Sequence, residues 1–108
     1  MDKRHEQSLL HALDILGSEY YKDFLKSVYL YGSCARGEQK FHSDVDIFLF
    51  VKANMPKFVI QKLRTEISPD DYTLPEVNLK ISMDDVPTSS RQFNRNFEKD
   101  GILLWSQK

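Results

Sequence analysis

The segment DVDIFLFVK, residues 44–52, constrains the fold most strongly because aliphatic residues occupy every second position within it. Alternate residues of a β-strand point to opposite sides of a sheet, so this pattern predicts a strand with one aliphatic side. The aliphatic side comprises Val45, Ile47, Leu49 and Val51. The other side comprises Asp44, Asp46, Phe48 and Phe50. We therefore expect the aliphatic side to lie on the hydrophobic core and the two aspartates to lie on the opposite side of the sheet.

Helical and strand patterns alternate on either side of this segment. Leucines three and four residues apart predict the first helix, and strict alternation in EVNLKIS predicts a half-buried strand. The predicted elements are a helix over 5–16, further helical structure over 20–25, strands over 27–31 and 44–52, a helix over 58–67, a strand over 76–82, a helix carrying Phe93 and Phe97, and a strand over 102–105. This order predicts an α+β fold, an α/β sandwich in which a mixed sheet of about four strands has helices on one face. The opposite face is then available for chemistry.

Phe48 and Phe50 continue the aspartate side of the predicted strand, so we expect them on the side that the helices leave uncovered. Exposed aromatic residues there would indicate contact with a nucleobase or a partner protein. Alternatively, the C-terminal segment that contains Trp105 covers them.

The size and charge of the chain limit its domain number and its partners. A length of 108 residues suits a single domain over residues 1–108. Fifteen basic residues nearly balance sixteen acidic ones, so no global positive field favours general nucleic-acid binding. The single cysteine, Cys34, cannot form an internal disulfide, and no signal-peptide pattern is apparent, so we expect a cytoplasmic protein. The longest apolar run, Ile47 to Val51, is too short for a membrane helix.

Two features between residues 30 and 50 carry chemical information. Asp44 and Asp46 would lie about 6.6 Å apart on one face of their strand, since each strand residue advances about 3.3 Å. Such a carboxylate pair suits Mg²⁺, which also takes water and phosphate oxygens as ligands in phosphoryl and nucleotidyl transfer. Gly32 follows the strand over 27–31 and would let the backbone approach a phosphate closely. Ser33 would donate a hydroxyl and begin a short helix through Arg36.

These residues resemble the minimal nucleotidyltransferase (MNT) family of the DNA polymerase β superfamily. The resemblance lies in GSCARG, in SDVDIFLFV, which follows it after five residues, and in the closing segment FEKDGILLW. It implies a polymerase β-like nucleotidyltransferase fold and nucleotide binding by Gly32, Ser33, Arg36 and Ser43. It also implies that Asp44 and Asp46 are catalytic and hold Mg²⁺ or Mn²⁺, with ATP as the substrate.

One position departs from the family pattern. Family members usually carry a third carboxylate on the third strand, where it activates the acceptor hydroxyl or binds a second metal, and the matching residue here is Asn78. An amide cannot act as a general base. Glu76 lies two residues earlier on the same strand face and is the candidate to replace it as a catalytic residue. A nucleotide binder with one metal, or a slow enzyme, is the alternative.

The resemblance further implies the antitoxin of a HEPN/MNT toxin–antitoxin pair. Such a protein binds a HEPN-domain partner and transfers AMP from ATP to a hydroxyl, with a partner tyrosine as the expected acceptor. The alternative is a catalytically degenerate antitoxin or binding module that neutralises its partner by occlusion. Transfer to a small molecule ranks last because 108 residues leave little room for a second substrate site. Homo-oligomerisation remains open.

Three residues near the motif also have plainer interpretations. Arg36 can pair with Glu38 or Asp44 at the surface rather than support a triphosphate. Cys34 has no apparent histidine partner, so we expect a small buried residue rather than a nucleophile. The third, His42, is expected to be a bystander in its loop.

Overall fold

The computed structural model describes residues 1–83 and 101–106 of the chain. Its elements are α1 (Lys3–Leu16), α2 (Glu19–Lys22), β1 (Leu25–Tyr31), α3 (Gly32–Arg36), β2 (Val45–Val51), α4 (Lys57–Glu66), β3 (Val77–Ser82) and β4 (Ile102–Ser106). The predicted helix with Phe93 and Phe97 lies outside the described residues. Within the described ranges, no helix has the length and apolar character needed to cross a bilayer.

The four strands form one mixed sheet in the order β3-β2-β1-β4. Strand β1 pairs antiparallel with both β2 and β4, whereas β2 and β3 run parallel. A parallel pair needs a crossover connection, and α4 supplies it between β2 and β3. The predicted mixed four-stranded sheet and α+β class are confirmed.

The aliphatic side of β2 forms the centre of the core, as predicted. Its four residues, Val45, Ile47, Leu49 and Val51, are all 0% exposed. Buried residues of α1 and α4, including Leu16 and Leu63, join them in one hydrophobic cluster. Full burial of an aliphatic side chain contributes about 1.5–3 kcal/mol, so β2 is strongly held in place at every second residue.

The opposite side of β2 is also buried at its aromatic residues. Phe48 and Phe50 are 1% and 8% exposed, so they are covered, which was the alternative to an exposed contact surface. Cross-strand packing contributes to this burial. The ring centroids of Tyr29 and Phe50 lie 5.9 Å apart, and those of Tyr31 and Phe48 lie 6.3 Å apart. Solvent access on this side of β2 is therefore greater at the aspartate end of the strand.

Several predicted boundaries differ from the structure by one to three residues. Helical structure ends at Lys22, and Leu25 already belongs to β1, where it pairs with Val51 of β2. Asp44 and Glu76 each lie one residue before their strands rather than inside them. The ends of strands depend on hydrogen bonding between strands, which the residue pattern of a single segment does not reveal.

The N-terminal part of α1 holds the two loops that lead into β2 and β3. The Arg4 guanidinium donates hydrogen bonds to the carbonyl oxygens of Phe41, at 3.1 Å, and Thr73, at 2.9 and 3.1 Å. The buried hydroxyl of Ser8 donates to the Pro75 carbonyl oxygen at 2.6 Å. These bonds fix the backbone immediately before Glu76, so α1 positions an expected site residue without touching its side chain.

His5 makes the equivalent connection for the loop before Asp44. Its fully buried ring places Nε2 2.8 Å from the Ser43 carbonyl oxygen and Nδ1 2.8 Å from the Asp2 carboxylate. Both neighbours are acceptors, so the ring donates to each only when both nitrogens carry a proton. Hydrogen bonds from the backbone and ring of His5 lower the pKa of Asp2, the N-cap of α1.

We expect His5→Ala to lower the free energy of unfolding by about 2–3 kcal/mol, because it leaves the partly buried Ser43 carbonyl oxygen without this donor and opens a cavity. The matched control is His42→Ala at an exposed loop position, which should change stability by less than about 0.5 kcal/mol. Urea unfolding of the two variants measures the difference. Equal effects would contradict an anchoring role for His5.

Candidate functional site

Gly32 and Asp46 meet at the point where β1 turns into α3. Gly32 has φ +73°, in the left-handed region that glycine adopts without strain. A Cβ at this residue would overlap with Asp46 Oδ2 and lie 3.2 Å from Asp46 Cγ. The Asp46 carboxylate therefore occupies space that is open only because residue 32 has no side chain.

Asn78 holds the other oxygen of the same carboxylate. The parallel register places Asp46 beside Asn78, and Asn78 Nδ2 donates a hydrogen bond to Asp46 Oδ1 at 3.2 Å. The residue that departs from the family pattern, Asn78, therefore contacts Asp46 directly. In this position, Asn78 supplies a donor rather than a negative charge.

The pKa of Asp46 lies above the ordinary aspartate value. Its partial burial is the main cause, and the nearby charge of Asp44 raises the pKa further. The hydrogen bond from Asn78 and the positive charges of Lys80 and Arg36 act in the opposite direction. The ionised carboxylate is therefore destabilised in the ligand-free protein, and a bound cation would relieve this.

Asp44 and Glu76 lie side by side at the entrance to β2 and β3. The backbone amide of Val45 donates to the Glu76 carbonyl oxygen at 2.9 Å, which extends the parallel ladder by one residue. Both acidic residues are exposed, and both line an open cavity of about 590 Å³. The other lining residues are Arg4, Phe41, His42, Ser43, Tyr72, Thr73, Leu74 and Pro75.

The other predicted site residues, Ser33, Ser43 and Arg36, make different contacts. Ser33 is half-buried in the first turn of α3. The Ser43 hydroxyl accepts a hydrogen bond from the Lys40 amide at 2.9 Å and so also stabilises its own loop. Arg36 forms an ion pair with Glu38 at 3.0 Å, which is the surface pairing considered from the sequence.

Cys34 is buried beneath the site. Its thiol donates to the Asp44 carbonyl oxygen at 3.6 Å. Burial raises the pKa of this thiol, and the charges of Asp46 and Asp2 raise it further. The neutral thiol is therefore favoured, as expected for a small buried residue rather than a nucleophile.

Sequence reasoning missed three residues around the site. Lys80 lowers the pKa of Asp46, and strand alternation from Asn78 could have revealed it. Tyr31 pairs with Asp46 across β1 and β2, and burial followed by that carboxylate's charge raises the pKa of Tyr31 to about 12. Arg4 lines the cavity from a helix remote in sequence, and no local pattern indicates this.

The donor set fits a divalent cation that also binds phosphate oxygens. Within residues 1–83 and 101–106, no group of three or more histidine, cysteine or acidic residues could hold a metal by itself. Mg²⁺ is commonly held by one or two carboxylates together with substrate phosphates and waters. Asp44 and Asp46 supply that number of carboxylates, so cation binding would depend on a phosphate-bearing ligand.

Most of the chain is similar to a known protein family. The family model described as "Polymerase beta, Nucleotidyltransferase" matches residues 18–108, which include β1, the Gly32 turn and both aspartates. No curated protein matched the chain. Helix α1 lies before the matched region.

Solved structures share the fold. One is a toxin–antitoxin crystal structure with AMP-PNP, at 20% identity and a TM-score of 0.61, covering 95% of this chain and 74% of that chain. A putative nucleotidyltransferase from Sulfolobus solfataricus has 23% identity and a TM-score of 0.52, with 99% and 91% covered. The tri-AMPylated Shewanella oneidensis HEPN toxin in complex with MNT antitoxin gives 18% identity and a TM-score of 0.55, with 93% and 73% covered.

The two glycines with positive φ provide a test of the contact between Gly32 and Asp46. Gly37→Ala should cost about 1–2 kcal/mol, because φ is +71° there and nothing lies within 4 Å of an added Cβ. Gly32→Ala has similar backbone strain and must also displace the Asp46 carboxylate, which adds about 1–3 kcal/mol. Chemical denaturation measures both variants. A loss of stability no larger for Gly32→Ala would show that the carboxylate does not occupy this space.

Proposed function

Because the chain belongs to the polymerase β nucleotidyltransferase family, we propose that it transfers AMP from ATP to a hydroxyl group in the presence of Mg²⁺ or Mn²⁺. The observation that carries the proposal is the Asp46 carboxylate seated against the glycine turn at Gly32, with the charge of Asp44 nearby. A turn without a side chain beside two carboxylates suits a triphosphate and the cation that accompanies it.

Each residue of the motif has a role in this proposal. Asp44 and Asp46 would hold the cation, which, when bound, neutralises developing charge on the attacking and leaving oxygens. Gly32 and Ser33 would contact the triphosphate through the turn and the hydroxyl. Arg36 and Ser43 would support the nucleotide from either side of the loop over 37–42. Asn78 and the open space at Gly32 orient Asp46 before any ligand arrives.

Glu76 is the proposed acceptor-side carboxylate. It lines the same cavity as Asp44, and strand alternation puts it on the side of the sheet that carries Asn78. A carboxylate here could accept the proton of an incoming hydroxyl, whereas the amide of Asn78 cannot. The cavity of about 590 Å³ lies within the size range of small-molecule sites.

We place the acceptor hydroxyl on a tyrosine of a HEPN-domain partner, so that the chain acts as the antitoxin of such a pair in the cytoplasm. Structural neighbours that occur in toxin–antitoxin complexes support this choice. One of them is a complex in which the HEPN toxin is tri-AMPylated. Under this proposal, the whole chain of 108 residues acts as one nucleotidyltransferase domain.

A second candidate function is neutralisation of the partner by occlusion, without catalysis. The hydrogen bond from Asn78 to Asp46 favours it. Asn78 stands where family members usually carry a carboxylate, and here it only donates a hydrogen bond that restrains Asp46. In that case, Glu76 would be an exposed residue with no catalytic role. Nucleotide binding could persist without transfer.

Asp46→Asn tests the proposed transfer without disturbing the fold. We expect labelling of a co-purified partner by α-labelled ATP to fall by more than about 100-fold, since even outer-shell changes at metal sites cost about 10–100-fold. Stability without ligand at pH 7 should equal or exceed that of the wild type, because the variant removes a charge that burial and Asp44 disfavour. Asp14→Asn, an exposed change on α1, is the control. Label retained by Asp46→Asn would contradict the assignment.

Glu76→Gln and Asn78→Asp distinguish the two candidate functions. If Glu76 accepts the proton, Glu76→Gln should slow transfer by about 10²–10⁴-fold while leaving ATP-dependent thermal stabilisation intact. If the chain is degenerate, Glu76→Gln changes nothing and Asn78→Asp creates transfer that the wild type lacks. Transfer rates and thermal shifts with ATP, with and without Mg²⁺, separate these outcomes.

A further inference from the structure

The five tyrosines of the chain, which all lie in the described part, differ sharply in accessibility. Tyr21 is 2% exposed, and Tyr29 and Tyr31 are half-buried. Tyr20 is 47% exposed, with its ring against Tyr21. Tyr72 is fully exposed, at 102% of its reference area. A hydroxyl acceptor must be reachable, and Tyr72 meets this requirement best.

Tyr72 is also the tyrosine that lines the cavity containing Asp44 and Glu76. It belongs to the loop over 67–76, between α4 and β3, that ends at Glu76 itself. The cavity is open and holds about 590 Å³, which leaves room for a nucleotide beside the loop. Tyr72 therefore shares the lining of one cavity with the proposed cation ligand and the proposed base.

The backbone around Tyr72 is restrained although its side chain is exposed. Arg4 donates two hydrogen bonds to the Thr73 carbonyl oxygen. The Asp71 carboxylate accepts hydrogen bonds from the amide and hydroxyl of Thr73, at 2.8 and 2.6 Å. Tyr72 thus lies between two fixed residues at the rim of the cavity. A tethered acceptor has a high effective concentration, so its reaction competes with that of a separate partner.

We propose that Tyr72 is a self-modification site, to which the chain transfers a nucleoside monophosphate from ATP within one molecule. The proposal rests on the nucleotidyl transfer proposed above. The Tyr72 phenol oxygen forms a bond to the α-phosphorus, and the bond from that phosphorus to the bridging oxygen breaks. Pyrophosphate leaves with the electron pair, and the phenolic proton passes to the Glu76 carboxylate. The product is a tyrosyl phosphodiester at the rim of the cavity.

The experiment incubates the full chain with ATP and Mg²⁺ and follows its intact mass. We expect a gain of one adenylyl group, which peptide mapping locates on Tyr72. Tyr72→Phe should reduce the modified fraction at least tenfold, and Tyr20→Phe should leave it unchanged. Because Tyr72 is fully exposed, thermal unfolding of Tyr72→Phe should match the wild type. Transfer within one molecule also predicts a first-order rate constant that does not change on tenfold dilution.

Two results would overturn the inference, and each leaves the proposed function standing. One is adenylylation of another protein or another residue while Tyr72 stays unmodified in the wild type. The other is a rate constant that falls in proportion to protein concentration, which would show transfer between molecules. No modification of Tyr72 in the chain alone likewise overturns the inference. If the co-purified partner is also present and neither pyrophosphate release nor adenylyl transfer to any acceptor is seen, the proposed function fails as well.

Discussion

The position of the Asp46 carboxylate against Gly32 is the constraint on which the site depends. The carboxylate fills space that any side chain at residue 32 would need, and the positive φ of Gly32 allows β1 to turn sharply into α3 there. The antiparallel pairing of Tyr31 with Asp46 brings the turn and the aspartate together. A shift of register by one residue would move Asp46 to the core side of β2 and separate the two. The aliphatic residues of β2 oppose such a shift, because it would expose them.

The same strand therefore supports both the core and a partly buried charge. Burial and Asp44 disfavour the ionised form of Asp46, as the direction of its pKa shows. Asn78, Lys80 and Arg36 offset part of this cost. A site that is electrostatically unfavourable when empty gains more from a bound cation than a fully neutralised one would. An asparagine in the place of a third carboxylate also reduces the repulsion that Asp44 and Asp46 already experience, at the expense of a general base.

The residue pattern predicted the sheet, the aliphatic core side of β2 and the Gly32 turn, because each depends on local alternation or on one conformational preference. The residue pattern left open whether Phe48 and Phe50 are covered, because their burial depends on neighbours such as Tyr29 and Tyr31 that pairing brings across the sheet. The hydrogen bond from Asn78 to Asp46 likewise depends on the parallel register. The roles of His5 and Arg4 were missed because both residues act on loops remote in sequence, through backbone carbonyls that carry no side-chain signal.

Those remote contacts show how the entrance to the site is organised. Asp44 and Glu76 are both exposed and lie just outside their strands, so the core does not hold their side chains. Their backbones are instead located by hydrogen bonds from α1 to the preceding residues, Ser43 and Pro75. The side chains of Asp44 and Glu76 can therefore rotate, while the hydrogen bonds from α1 hold the backbone beside each of them in place. A displacement of α1 would move both loops together, so the aspartate pair and the proposed acceptor side depend on one helix that lies before the family match.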